Sequence, residues 1–76
     1  TNIHYNLLNS EHVSLNIYDL NGRLIKYLIN ENQNAGARSL TWDGSNEKGQ
    51  MVAAGMYIYM IKAGNFISSK KMLLLK

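Results

Sequence analysis

Three features of the sequence predict an all-β fold, an antiparallel sandwich of about seven short strands. Apolar and polar residues alternate with period two in several short runs. That period collects apolar side chains on one face of a strand and scatters them around a helix. The gaps between runs are short and regular, and each carries a turn-forming residue. Finally, the 76 residues hold six glycines and no proline, so Gly, Asn and Asp have to make the turns.

The first run, Ile3-His4-Tyr5-Asn6-Leu7, predicts a half-buried strand with Ile3, Tyr5 and Leu7 inward. Asn9-Ser10-Glu11 reads as a polar turn. His12 to Asp19 is the cleanest strand, with Val13, Leu15 and Ile17 on one face and Ser14 and Asn16 on the other. Asn21-Gly22 follows, the pair favoured in a two-residue type I′ hairpin turn, where both central residues take positive φ. Arg23 to Ile29 is then the returning strand. Its apolar residues, Leu24, Ile25, Leu28 and Ile29, fall on both faces, which predicts a bulge or register slip. A helix is the rival reading for residues 24–29.

Asn30 to Gly36 reads as a polar loop, and Ala37 to Asp43 as a strand with Leu40 and Trp42 inward. Asp43 to Gln50 is a glycine-bounded turn, and a short seventh strand is an option around Met51–Ala53. Two apolar runs close the chain, Gly55–Lys62 and Phe66–Leu75, joined by Ala63-Gly64-Asn65. Tyr57 and Tyr59 share a face and are expected near Trp42, as core rings.

Length and composition bound the function. A chain this short forms one domain and buries only about 60–65% of its unfolded surface, leaving no room for a walled catalytic cleft. Apolar residues make up 46% and charged residues 17%, a globular composition. No cysteine is present, so there is neither a disulfide framework nor a thiolate metal site. The net charge of +3 is mild and its basic residues are dispersed, short of the roughly 6–10 phosphate contacts of a nucleic-acid face. No apolar run approaches the ~18–20 residues of a membrane span. The start at Thr1, without methionine or a charged-then-apolar leader, gives the expectation that residues 1–76 are one domain cut from a longer secreted protein.

Candidate chemistry is sparse. His4 and His12 have no Asp, Glu or Cys partner at ligand spacing, and a zinc site needs about four ligands. The oxygen-rich turn Asp43–Gly49 departs from calcium-loop spacing and lacks the closing bidentate glutamate, so Asp43 and Asn46 are expected to bond their own backbone. The serines show no nucleophile-elbow pattern. The chain is therefore expected to be no enzyme, with no catalytic residue, no metal and no cofactor.

Five pieces in order carry a resemblance: V-S-L-N-I-Y-D-L-N-G-R (Val13–Arg23), L-T-W-D-G (Leu40–Gly44), Gly49, A-A-G-M-Y (Ala53–Tyr57) and K-K-M-L-L-L-K (Lys70–Lys76). Together they resemble the C-terminal sorting domain of type IX secretion substrates. They are equally similar to the related immunoglobulin-like domain of the flagellar hook-capping protein. The resemblance implies an immunoglobulin-like sandwich with no catalytic role. In the sorting family that domain directs an attached N-terminal passenger through the periplasm and across the outer membrane of Bacteroidota-like bacteria to the cell surface. Its partners there are a shuttle protein, a translocon and a sortase. Carried onto this chain, recognition would fall to Gly55, Tyr57, Lys70, Lys71, Met72, Leu73, Leu74, Leu75 and Lys76. The alternative is a structural assembly module, hook-capping-like or self-associating through its edge strands. Alternation in the last run predicts that Met72 and Leu74 face one way and Leu73 and Leu75 the other.

Overall fold

The computed structural model describes residues 1–75. Its strands are β1 (Asn2–Leu7), β2 (Glu11–Tyr18), β3 (Leu24–Gln33), β4 (Gly36–Thr41), β5 (Gly55–Ala63) and β6 (Phe66–Leu74). They form two antiparallel sheets, one of order β3-β2-β5-β6 and one pairing β1 with β4. The fold is the immunoglobulin-like all-β sandwich expected.

Strand β2 lies inside the larger sheet, hydrogen-bonded to β3 on one side and β5 on the other. Its alternation therefore separates completely, and Val13, Leu15 and Ile17 are all fully buried. Burying three such side chains contributes roughly 5–9 kcal/mol before conformational entropy is counted. Facing them, β1 supplies Ile3 and Leu7, and Trp42 follows directly on β4. Tyr57, Ile61 and Ala63 from β5 and Met72 and Leu74 from β6 complete the core. The predicted pairing of rings is present: Trp42 and Tyr57 meet edge to face, with centroids 5.1 Å apart.

Strand β3 has the expected irregularity twice. The register steps from Leu15↔Ile29 to Asn16↔Tyr27 and from Ile17↔Lys26 to Tyr18↔Leu24, so Leu28 and Ile25 are the extra residues. Each bulge turns its extra side chain toward the core, and Ile25, Leu28 and Ile29 all pack half-buried against it. That geometry explains the two-faced apolar pattern, and no helix forms there.

Three expectations need correction. Asn21-Gly22 is not a type I′ turn, because Gly22 has φ +85° while no non-glycine residue takes positive φ. Asp19 and Arg23 close a three-residue loop instead, through Asp19 N–H to Arg23 O and Gly22 N–H to Asp19 O. The Asp19 carboxylate fixes it, accepting from the N–H groups of Asn21 and Arg23 at 2.9 Å each and from Arg23 Nε at 3.0 Å. Second, Asn30–Gln33 is the end of β3, not a loop. These polar residues pair with residues 11–14 of β2 on an edge strand, where polar side chains remain in water. Only Asn34 and Ala35 link β3 to β4. Third, the seventh strand reduces to one bridge, Ser45↔Met51. The loop between is held by side chains: Asp43 Oδ1 accepts from Ser45, and Asn46 Oδ1 from the N–H groups of Lys48 and Gln50, as the turn reading expected.

Candidate interaction surface

The β5–β6 hairpin carries every described residue singled out for recognition except Leu75, which directly follows β6. Its turn is Gly64-Asn65, with Ala63 paired to Phe66. Gly64 has φ +59° and Asn65 a negative φ, the signs of a type II′ turn with glycine first. The ladder then runs without a register shift to Gly55↔Leu74.

The hairpin divides the predicted recognition residues into two sets. Tyr57, Met72 and Leu74 point into the core, and the Tyr57 hydroxyl donates to Ala53 O at 2.6 Å. Lys70, Lys71, Leu73 and Leu75 are exposed, Leu73 at 49% and Leu75 at 76%. Gly55 opens β5 at φ +143°, a backbone region costly for other residues. A side chain there would meet nothing within 4 Å, so conformation and not close packing accounts for this glycine. Lys76 lies outside the described residues.

The two edges of the larger sheet differ. The β3 edge is covered near its start, since Glu47 N–H donates to Ile25 O and the Glu47 carboxylate accepts from Tyr27 N–H. The β6 edge carries one weak contact, from Thr1 Oγ1 to Leu73 O at 3.4 Å. That contact shows which way the strand faces. Residue 73 turns its backbone groups away from β5, and in a ladder without shifts residues 67, 69 and 71 do the same. Among the described residues, their outward N–H and C=O groups have no hydrogen-bond partner.

Charge is also divided. All five acids lie between Glu11 and Glu47, and residues 51–76 carry only the lysines Lys62, Lys70, Lys71 and Lys76. The ion pair among the described residues is Arg23–Asp19, so Lys62, Lys70 and Lys71 are uncompensated. The two perturbed acids serve turns. Asp19 is held below its usual 3.8, chiefly by the Arg23 backbone N–H, with the Arg23 side chain and Asn21 adding. Asp43 is lowered likewise, chiefly by the Ser45 hydroxyl, then by the Ser45 N–H and the charge of Lys26.

Other sequence candidates are placed plainly. No cluster of three His, Cys, Asp or Glu side chains at metal-binding distance occurs among the described residues. The His12 ring bridges the side chains of Asn30 and Asn32, and His4 is exposed on β1. Trp42 is 1% exposed and its Nε1 donates to Ser45 O at 3.0 Å, the core position expected of it. Sequence reasoning missed a cleft of about 310 Å³ between the turn after β1 and the β5–β6 hairpin. It also missed the covering of the β3 edge by Glu47. A short-range signal for either is lacking, since both arise where distant segments meet.

A family model described as the FlgD Ig-like domain matches residues 2–65. The chain belongs to this FlgD Ig-like family. Among solved structures it is similar to FlgD from P. aeruginosa, with a TM-score of 0.75 and 27% identity. The match covers 96% of this chain and 59% of that one. No curated protein matches the chain. These likenesses support the hook-capping-related half of the resemblance, and neither carries the type IX half.

Proposed function

We propose that the chain is a non-catalytic, structural immunoglobulin-like module that contributes protein–protein contacts within a larger assembly. Membership of the FlgD Ig-like family carries this reading. The arrangement of the surface agrees with it, since the β6 edge is open while, among the described residues, every buried side-chain polar atom has a hydrogen-bond partner. The edge strand at issue bears Lys70, Lys71 and Leu73 of the residues singled out for recognition, and exposed Leu75 directly follows it.

A second reading, a type IX sorting signal, draws on the same exposed tail. Under it a shuttle, a translocon and a sortase read Lys70, Lys71 and Leu73, and an attached passenger reaches the cell surface. One pair of experiments separates the two. Exchanging the Ig-like domain of P. aeruginosa FlgD for this chain is expected to retain hook assembly, scored by electron microscopy and swimming. Fusing the chain after a periplasmic reporter in a type IX-competent bacterium is expected to leave the reporter periplasmic, beside an established sorting domain that exports its own. Export of the reporter, or a folded and stable chimera that assembles nothing, would overturn the structural reading.

A further inference from the structure

We propose that the open edge of β6 accepts an extended, acidic segment of another protein as a fifth strand of the larger sheet. The proposal rests on the structural-module reading and names the edge and the chemistry of its partner.

Three observations converge on residues 67–71. The outward backbone groups of Ile67, Ser69 and Lys71 form a regular row of donors and acceptors with no partner among the described residues. Such a row is a template for strand addition, in which main-chain hydrogen bonds supply affinity and alternate side chains supply selectivity. Next, Lys70 and Lys71 sit at the middle of the nine-residue strand, one on each face of the sheet, and no acid lies on β5 or β6. An added strand therefore meets positive charge on both faces. Finally, Ile67 and Leu73 are exposed on the outer face, on either side of Lys71. They offer apolar contact to residues flanking an acidic centre.

The same lysines disfavour a second copy of the chain in the two registers that overlap the middle of the strand. An antiparallel pairing of two β6 strands has its fullest overlap when centred on residue 70, which sets Lys70 opposite Lys70 of the second copy. Shifting it by one step toward the C-terminus sets Lys71 opposite Lys71. Like charges directly opposed across strands are destabilising, and opposite charges stabilise. Lysine on an edge thus protects against self-pairing while remaining open to a carboxylate-bearing partner. The other edge is interrupted, because Glu47 occupies it at Ile25 and Tyr27.

The test uses two end-blocked, labelled octapeptides, Val-Thr-Val-Glu-Glu-Val-Thr-Val and the same sequence with Lys-Lys at its centre. Anisotropy is expected to show the acidic peptide binding roughly tenfold or more tightly, the effect of converting two opposed like charges to attractive pairs. Hydrogen exchange of the Ile67, Ser69 and Lys71 amides slows on binding. The double variant K70E/K71E reverses the preference. Ser69→Pro removes an outward N–H without touching the β5 ladder, so it abolishes binding while thermal unfolding stays close to the parent's. Sedimentation of the free chain shows a monomer. No binding of the acidic peptide at millimolar concentration, equal binding of the two peptides, or protection confined to other strands overturns the proposal. So does a dimer protected along β6. If the FlgD chimera assembles and no peptide binds, only this edge is excluded. If the peptide binds and the chimera fails, the structural reading falls and the edge stands.

Discussion

Replacing Leu74 by alanine separates the two faces of β6 by stability alone. Leu74 is 5% exposed and lies against the Gly44 loop, where its Cδ2 stands 3.3 Å from the place a Gly44 side chain would take. Leu73, one residue earlier, is 49% exposed on the opposite face. Removing a buried leucine side chain costs about 2–5 kcal/mol, from lost transfer energy and the cavity left behind. The outward Leu73→Ala change stays within about 0.5–1 kcal/mol. The domain's total is on the order of 4–11 kcal/mol at this length, so Leu74→Ala consumes a large share of it. In thermal unfolding followed by circular dichroism, each kcal/mol moves Tm by about 4–8 °C for a domain of this size. Leu74→Ala is then expected to lower Tm by at least ~8 °C, with Leu73→Ala several-fold less. Met72→Ala should resemble Leu74→Ala, and the pair together should unfold the chain at ambient temperature. Equal shifts for Leu73 and Leu74 would refute the assignment of faces and with it the role of β6 as a core strand.

Other outcomes follow from the same geometry. Trp42→Phe keeps most of the ring but leaves Ser45 O buried without its donor, at a cost of about 1–3 kcal/mol in urea denaturation. Gly22→Ala, with open space around it, costs only its positive φ, roughly 1–2 kcal/mol. Gly44→Ala is expected to cost more, since the new methyl also crowds Leu74 and Met51 at 3.3 Å; equal losses at the two glycines would remove the packing argument. Both Asp19 and Asp43 have folded-state pKa values below the usual 3.8, so the unfolded chain takes up their protons first. Their contribution is full above that value and is lost as pH falls through 3.8 to the lower folded values. Tm measured against pH should therefore drop on the acid side, and Asp43→Asn should flatten that drop.

What could be read from the sequence was local. The alternation of residues 13–17 separates into fully buried and half-exposed faces because β2 is paired on both sides. Alternation in the tail was equally plain, and so was the division of Met72 and Leu74 from Leu73 and Leu75. The Asp43 and Asn46 turns followed from side chains bonding backbone two and four residues on. What escaped was set by pairing at a distance. Asn30–Gln33 is polar and becomes a strand only because residues 11–14 supply its ladder. Gly22 was read rightly as a turn residue. The loop type was missed because the Asp19 carboxylate, three positions earlier, gathers N–H groups that a two-residue turn would have left elsewhere. Which strand ends a sheet is a matter of topology, so the open edge of β6 had no signature of its own. The family was half legible for a related reason, since the motifs that carried the resemblance are turn and core pieces, which maintain a sandwich whatever its role.

The family model stops at Asn65, the second residue of the β5–β6 turn, yet likeness to FlgD in three dimensions extends over 96% of the chain. Strand β6 lies wholly beyond the first boundary and largely within the second. A strand can persist as geometry when its backbone ladder and a few core positions are satisfied, whatever its other side chains are. In β6 those core positions are Met72 and Leu74, and residues 66–71 include no fully buried side chain. Substitution along 66–71 is therefore cheap to the fold, and that stretch holds both mid-strand lysines and the unpaired outward groups. Stability and recognition are thus carried by different residues of one strand. A change at 72 or 74 is read in Tm, and a change at 69, 70 or 71 in what the edge will bind.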